Sequence, residues 1–336
     1  MVSNIKAKLG IGPMSSETLE AVFRYSHFHR KQIMLIASKN QIDHSGGYVN
    51  AWTTKDYSDA LNELKKKYNF NEVVNCRDHC GPGFNGNYDL DDTYDTIKAD
   101  VNNNFDLIHI DFCHYKGSNA ERLMESKKAI EFCNSLNENI SIEIGTDENT
   151  GDKFSLNSLE DIEKEIEYFL DISKLEFFVV QTGSLVMEIN QVGSFNLEFC
   201  KEIASIIRKK GLKFKEHNAD YLSSTEISKR KDIVDAMNIA PQFGAIQTGI
   251  VLNKCLSYGI NYDNWANVIH KSGKWKKWLY NNNAENKFLC TNIAGHYHFA
   301  SDEYKRIVEQ INKHEDIYET IVESLMEVIE HYENSF

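Results

Sequence analysis

Residues 72–82 read EVVNCRDHCGP, in which a short apolar and β-branched run ends in charged, imidazole and turn-forming residues. Proline cannot donate to a strand ladder, so Pro82 marks a place where strand pairing stops. A buried strand followed directly by polar residues is typical of a parallel sheet whose carboxyl edge carries a site. Similar units occur along the rest of the 336-residue chain.

The same alternation of a short apolar run with a longer amphipathic stretch occurs eight times, which indicates successive βα units. The predicted strands are 9–13, 32–37, 72–77, 107–112, 140–145, 177–182, 213–217 and 237–241. The predicted helices are 17–27, 55–68, 90–102, 119–136, 159–172, 197–210, 225–236 and 245–257. Eight units predict an α/β fold, a (β/α)8 TIM barrel. A doubly wound open sheet is the alternative, but no Gly-x-Gly-x-x-Gly turn supports it.

The βα rhythm ends near residue 258, so we assign residues 1–258 to the barrel and 259–336 to a C-terminal helical extension. The extension is rich in aromatic residues and ends in a predicted amphipathic helix over 302–333. We expect it to pack on the barrel or against a second subunit, and we expect a homo-oligomer.

Composition excludes several classes of function. The net charge of −13 argues against a nucleic-acid surface, which would be basic. No apolar run reaches the ~18 residues of a membrane span, and the N-terminal segment lacks the apolar core of a secretory signal. The seven cysteines form no CxxC pair, so a structural zinc ribbon is not expected. We expect a cytoplasmic protein with no nucleic-acid or membrane partner.

Polar residues follow six of the eight strands, and in such barrels these positions face one common mouth. The polar strand ends are SKNQ (38–41), RDHC (77–80), DFCH (111–114), EIGTDE (143–148), QTG (181–183) and EHNAD (216–220). Six such ends at one rim predict an active site there.

Two histidines at the same barrel end, His79 and His217, favour a metal site over two satisfied core histidines. Glu143 lies between two isoleucines, so it faces the lumen if they face the helices. A carboxylate there must bind metal or pair with a charge such as Lys215. His114 is a weaker candidate ligand, and His109, inside the fourth strand, is expected to be structural.

The strand-end motifs resemble the class II tagatose-bisphosphate aldolase family, specifically the subunit usually called non-catalytic. The matching stretches are IASKNQID (36–43), RDHCGP (77–82), IDFC (110–113), EIGTDE (143–148), VVQTG (179–183), KEHNADYL (215–222) and NIAPQFG (238–244). They occur in order over about residues 30–260. The resemblance implies a barrel that uses a divalent metal, normally zinc, to polarise a ketose carbonyl and stabilise the enediolate.

Carried over by position, Asp78 matches the acid/base aspartate, and His79 and His217 match two metal histidines. Gln181 stands where catalytic class II aldolases have a third metal histidine, so Glu143 or His114 would have to complete the site. The glycine-rich phosphate loops of the family are also missing, which leaves Lys39 or Arg77 as candidate phosphate partners.

The resemblance leaves two classes of function open. One is an enzyme that cleaves a ketose phosphate by a retro-aldol step, as an aldolase or as a 4-epimerase that re-closes the same bond. The other is a non-catalytic partner of a separate catalytic aldolase subunit. The candidate catalytic residues are Asp78, Glu143 and Asp147, although the loop containing Asp147 could be a solvated turn. The candidate metal ligands are His79, His217, Glu143 and His114, and the candidate substrate-binding residues are Lys39, Asn40, Gln41, Arg77, Asp111, Gln181, Asn218 and Asp220.

Overall fold

The computed structural model describes residues 4–146, 159–280 and 286–336. Eight parallel strands close into a barrel. They are β1 (Leu9–Ile11), β2 (Met34–Ser38), β3 (Val74–Cys80), β4 (Leu107–Ile110), β5 (Ser141–Thr146), β6 (Leu175–Val180), β9 (Lys213–Glu216) and β10 (Ala236–Ile239). Their order around the barrel is β1–β10–β9–β6–β5–β4–β3–β2. The predicted (β/α)8 barrel is therefore confirmed.

The helices lie mainly between successive strands. They are α1 (Ser16–His29), α2 (Thr54–Tyr68), α3 (Leu90–Asn102), α4 (Asn119–Leu136), α5 (Leu159–Leu170), α6 (Leu197–Lys209), α7 (Ser224–Ser228) and α8 (Pro241–Tyr258). Local sequence explains several starts. Thr53 and Ser118 form capping boxes with Asp56 and Glu121, and Pro241 occupies the first turn of α8, where its missing N–H costs nothing.

Three features differ from the predicted pattern. An unpredicted antiparallel hairpin, β7 (Val186–Met187) with β8 (Asn190–Gln191), follows β6. Helix α7 spans five residues and is shorter than the predicted helix over 225–236; beyond its end, Arg230 pairs with Glu216. The predicted helix over 302–333 is two helices, α11 (Asp302–Ile311) and α12 (Ile317–Ser335), since Asp316 caps a new helix by accepting from the N–H groups of Tyr318 and Glu319.

The lumen changes from apolar to polar along the strands. Side chains alternate across a strand, so every second residue faces the lumen. An apolar cluster separate from the main core holds Met34, Ile36, Val74, Cys76, Leu107, Phe177 and Ala236. Two residues beyond Cys76, Leu107 and Ala236 stand Asp78, His109 and Asn238. The apolar floor thus gives way to polar side chains toward the carboxyl ends of the strands.

The C-terminal segment covers part of this end of the barrel. It contains α9 (Asp263–Ser272), a 3-10 turn (Lys274–Trp278), α10 (Lys287–Ala294), a second 3-10 turn (Gly295–His298), α11 and α12. The Tyr332 hydroxyl on α12 donates to the carbonyl of Ala219 at 2.7 Å and accepts from the N–H of Leu222 at 3.2 Å. Helix α12 therefore holds the loop that follows β9. Among the described residues, no helix combines the length and apolar character that crossing a membrane requires.

Candidate metal centre at the barrel mouth

Three histidines from three strands meet at the carboxyl end of the barrel. His79 lies near the end of β3, His109 lies in β4 and His217 follows β9 directly. Their ring centroids are 5.1 Å (His79–His109), 5.1 Å (His79–His217) and 5.4 Å (His109–His217) apart. Asp78 completes the group, since ligand atoms of these four residues all lie within 4.8 Å of one another. We call these four residues the His3Asp cluster.

Asp78 contacts each of the three imidazoles. Its Oδ1 lies 3.5 Å from His109 Nδ1 and 3.8 Å from His217 Nε2, and its Oδ2 lies 3.8 Å from His79 Nε2. Burial by itself would raise the pKa of this carboxyl, but the charges of His79 and His217 and the contact with His109 hold the pKa well below its ordinary value. Asp78 is therefore ionised near neutral pH.

His109 supplies the third imidazole, which corrects the expectation that it is only structural. Its Nε2 lies 2.9 Å from the carbonyl oxygen of Gly145. A carbonyl can only accept, so Nε2 carries a hydrogen, and Nδ1 is the ring nitrogen that faces Asp78. The backbone N–H of His79 approaches the same Nδ1 at 3.3 Å. Three imidazoles therefore lie together without His114, and the carboxylate of Glu143 lies beside two of them.

His79 is oriented by a second carboxylate. Its Nδ1 donates to Asp111 Oδ2 at 2.8 Å, and Thr146 donates to the same oxygen at 3.0 Å. Burial would raise the pKa of Asp111, but the hydrogen bond from His79 and the neighbouring imidazole of His109 hold it well below its ordinary value. Asp111, predicted to bind substrate, thus lies behind His79. Metal-binding histidines commonly donate their second ring N–H to such a carboxylate.

Glu143 lies in the lumen, as its alternation with isoleucines indicates, and it is fully buried. Its Oε2 accepts from Lys215 Nζ at 2.7 Å. Burial would raise its pKa, but Lys215 and His217 lower the pKa to about 2. Its other oxygen, Oε1, lies 3.4 Å from His217 Nε2 and 3.6 Å from His109 Nδ1. Glu143 is therefore committed to Lys215 through one oxygen and faces two histidines of the cluster with the other.

Two predicted phosphate partners are held in structural contacts, which corrects that expectation. The fully buried Arg77 binds both oxygens of Asp100 at 2.7 Å and also donates to the carbonyls of Ala37 and Ile42. Lys39 is buried and pairs with Asp92 at 2.6 Å. The guanidinium of Arg77 is therefore enclosed by its protein partners, and the charge of Lys39 is balanced by Asp92.

The remaining predicted residues are more widely distributed. Gln41 is buried and accepts from the N–H of Ser38, and Asn40 donates to the carbonyl of Phe84. Asp220 accepts from the N–H groups of Ala240 and Gln242, and burial raises its pKa to about 7. These bonds make Asp220 an anchor for the start of α8.

His114 and Gln181 lie to one side of the His3Asp cluster. They line a cavity of about 770 Å³ beside α4 and α5. The ring of His114 contacts Phe84, at 4.7 Å between centroids. Asn218 has a left-handed backbone (φ 53°), and its carbonyl accepts from Gln191 of the hairpin. Asp147 lies outside the described residues.

Asn238 is a lumen residue that the sequence analysis did not select. It is 4% exposed, and neither polar atom of its amide has a hydrogen-bond partner among the described residues. Strand β10 pairs with β9 so that Met237 lies opposite Glu216, which places Asn238 beside His217. A Cβ on the neighbouring Gly10 would lie 2.2 Å from Asn238 Oδ1, so a larger residue there would displace this amide. A polar residue within the apolar run 236–240 was the available signal.

The donor set fits a divalent metal ion. Three imidazoles with an open position are a common catalytic zinc arrangement, and the Asp111–His79 contact supplies the usual outer carboxylate. His109 and His217 are buried, and Glu143 Oε1 has no hydrogen-bond donor among the described residues although it faces both rings. A cation between the imidazoles would lie close to this carboxylate oxygen and balance its charge.

Solved structures share this fold at low sequence identity. A probable tagatose 6 phosphate kinase from Sinorhizobium meliloti 1021 has a TM-score of 0.77 at 13% identity, over 98% of this chain and 100% of that chain. A fructose-bisphosphate aldolase from Campylobacter jejuni has a TM-score of 0.62 at 15% identity, over 97% and 90%. The YdjI aldolase from Escherichia coli K12 has a TM-score of 0.54 at 13% identity, over 91% and 90%. The sequence matches no protein-family model and no curated protein. The chain thus has an aldolase-like barrel fold.

Proposed function

We propose that this protein is a metal-dependent enzyme that cleaves a carbon–carbon bond of a ketose phosphate by a retro-aldol step. The observation that carries the proposal is the His3Asp cluster, in which three imidazoles and an ionised aspartate meet at a barrel mouth. His79, His109 and His217 would hold the metal, with zinc as the expected ion. Bound there, the metal would supply Lewis-acid polarisation of the ketose carbonyl.

Asp78 is the proposed acid/base residue. An ionised carboxylate can accept the proton of the hydroxyl next to the bond that breaks. The electron pair of that O–H bond then forms the new carbonyl, and the pair of the broken C–C bond passes to the fragment that carries the ketose carbonyl. Asp78 is ionised near neutral pH, so its carboxylate can accept this proton. The same carboxyl returns the proton when the bond forms in the reverse direction.

Two further groups would support this chemistry. Glu143 faces His217 and His109, and its partner Lys215 keeps it ionised, so Glu143 orients the rings and balances their charge. The Asn238 amide offers both a donor and an acceptor beside His217, which suits a sugar hydroxyl. Asn238 is therefore proposed to orient the substrate.

The fate of the fragments decides between two reactions. Release of both fragments makes the protein an aldolase, whereas rotation of the aldehyde and re-closure of the bond makes it a 4-epimerase. The motif resemblance favours tagatose 1,6-bisphosphate as the substrate. Cleavage of that sugar gives dihydroxyacetone phosphate and glyceraldehyde 3-phosphate, and re-closure gives fructose 1,6-bisphosphate.

To test this proposal, the purified, zinc-loaded chain is incubated with tagatose 1,6-bisphosphate. Triose phosphates are measured by a coupled assay, and the epimer is measured by NMR. We expect turnover that chelator abolishes and that Asp78→Asn lowers by about 10²–10⁴-fold. Asp59→Asn, on the exposed face of α2, is the matched control and should retain activity. If the loaded chain is inert alone and instead activates a separate class II aldolase, the proposal fails and the non-catalytic partner function replaces it.

A further inference from the structure

The C-terminal segment places two lysines at the barrel mouth, beside the end of β2. Lys274 and Lys277, both on the 3-10 turn, line a cavity of about 550 Å³ together with Tyr48, Tyr297, Asn40 and Asn85. The two tyrosine rings lie 4.7 Å apart, edge to face, and form one wall. We call this cavity the lysine pocket.

Both lysines are exposed to solvent, and neither forms an ion pair with a carboxylate in the described part of the chain. Their ammonium groups lie over aromatic rings instead. Lys274 Nζ is 4.9 Å from the ring centre of Tyr297 and 5.6 Å from that of Tyr48, and Lys277 Nζ is 5.5 Å from that of Tyr297. Such contacts offset only part of the cost of placing two cations together. In a chain of net charge −13, two lysines that line one pocket without a carboxylate partner among the described residues offer an anionic ligand two ammonium groups.

The lysine pocket has two other charged residues in its wall, Lys39 and Asp43. Lys39 pairs with Asp92, and Asp43 accepts from Thr96 and Asn85. Burial, and then the charge of Lys277, lower the pKa of Lys274. Three lysines (Lys39, Lys274 and Lys277) stand against two carboxylates (Asp43 and Asp92), so the net charge that the pocket offers a ligand is positive.

The lysine pocket adjoins the His3Asp cluster. Asn40, in the pocket wall, donates to the carbonyl of Phe84. The ring of Phe84 stacks on that of His79, with 4.7 Å between centroids and 24° between planes. Phe84 thus lies between Asn40 of the pocket wall and His79, a proposed metal ligand.

We infer that Lys274 and Lys277 form the subsite for the anionic end of the substrate, a phosphate or carboxylate group carried by the sugar. This inference rests on the proposed function and replaces Lys39 and Arg77 as the anion partners. Ammonium groups bind phosphate as point charges, so two of them on one wall suit a dianion. The Tyr297 hydroxyl accepts from Trp278 Nε1 at 3.3 Å, which leaves its own hydrogen for an oxyanion.

The first experiment is independent of turnover. Inorganic phosphate and D-glucuronate are each titrated by calorimetry into the wild type, into Lys274→Met/Lys277→Met and into the control Lys271→Met/Lys276→Met. The control removes the same charge from exposed lysines of the same segment that do not line the pocket. We expect at least one of the two anions to bind the wild type and the control, and to bind the pocket variant at least about tenfold more weakly. The anion that binds distinguishes a phosphate subsite from a carboxylate subsite.

The second experiment measures KM and kcat of the same three proteins for a ketose phosphate and for the unphosphorylated ketose. The pocket variant should raise KM for the charged sugar by about tenfold and leave KM for the neutral sugar unchanged. Binding of neither anion to the wild type, or equal binding by all three proteins, overturns the subsite. Turnover of ketose phosphates with an unchanged KM in the pocket variant overturns the subsite and leaves the proposed function standing. Anion binding that the pocket variant loses, without turnover of any sugar by the wild type, supports the subsite and overturns the proposed function.

Discussion

Asp111 Oδ2 lies 2.8 Å from His79 Nδ1, so the imidazole donates through one nitrogen and presents the other, Nε2, to the His3Asp cluster. The backbone of His79 is left-handed (φ 47°), and this sparsely populated conformation turns its side chain back over β4, where Asp111 follows. The carboxylate thereby fixes both the tautomer and the direction of the ring.

Asp111→Asn should weaken metal binding without removing a ligand of the cluster. An amide accepts a weaker hydrogen bond than a carboxylate and no longer raises the basicity of His79. We expect about 10–100-fold lower zinc affinity, measured by competition with a chromogenic chelator. Thr146→Val removes only the hydroxyl donor to Asp111 and should have a smaller effect. Equal zinc affinity in Asp111→Asn and the wild type would exclude this role.

Lys215→Met should destabilise the metal-free protein because it leaves the fully buried Glu143 carboxylate without its cation. We expect a loss of about 3–5 kcal/mol in the free energy of unfolding by urea. The double variant Glu143→Gln/Lys215→Met removes both charges and should recover much of that loss. A double variant that is less stable than Lys215→Met would contradict this account of the pair.

Asn238→Ala should separate substrate binding from folding. Both amide atoms are buried without a partner in the described part of the chain, so their removal should leave the free energy of unfolding unchanged or raise it. If the amide binds a sugar hydroxyl, KM should rise by about tenfold. Urea unfolding and steady-state kinetics on one preparation measure both quantities. A destabilised variant with unchanged KM would show a purely structural residue.

The lowered pKa of the buried His296 predicts that the protein loses stability in acid. Burial, and then the charges of Lys277 and Lys274, lower its pKa from 6.5 to about 3. As the pH falls below 6.5, the unfolded chain gains a proton at this histidine and the folded chain does not. The free energy of unfolding should therefore fall by about 1.4 kcal/mol per pH unit over this window.

Urea unfolding between about pH 7.5 and about pH 5 tests this slope. His296→Gln should lower the dependence of the free energy of unfolding on pH by about 1.4 kcal/mol per pH unit in the acid part of this range. The exposed His29→Gln, the matched control, should retain the wild-type slope. Identical slopes in the wild type and His296→Gln would show that His296 is protonated in the folded protein.

Most of the barrel and part of its site could be predicted from local patterns. Each predicted strand overlaps an observed one, because β-branched runs that end in turn residues specify buried parallel strands. The hairpin of β7 and β8 was missed, because its strands have two residues each and carry no apolar alternation. The break between α11 and α12 was missed because the apolar periodicity resumes after Asp316.

The alternation rule that places Glu143 in the lumen also predicts the direction of two other side chains, those of His109 and Arg77. His109 stands between Ile108 and Ile110, as Glu143 stands between two isoleucines, and it was nevertheless set aside as structural. Arg77 precedes the lumen residue Asp78 and therefore points outward, where Asp100 of α3 binds it. By contrast, the approach of Lys274 and Lys277 to the barrel mouth is a tertiary contact that strand periodicity cannot predict.

The most direct test of the metal centre is the metal content of the purified protein and of two histidine variants, measured by elemental mass spectrometry after loading with zinc and removal of the excess. The structure assigns His109 to the cluster and His114 to a different cavity. We therefore predict about one zinc per chain in the wild type and in His114→Ala, and a large loss in His109→Ala. A wild type without zinc, or zinc retained in His109→Ala and lost in His114→Ala, would contradict the three-histidine site.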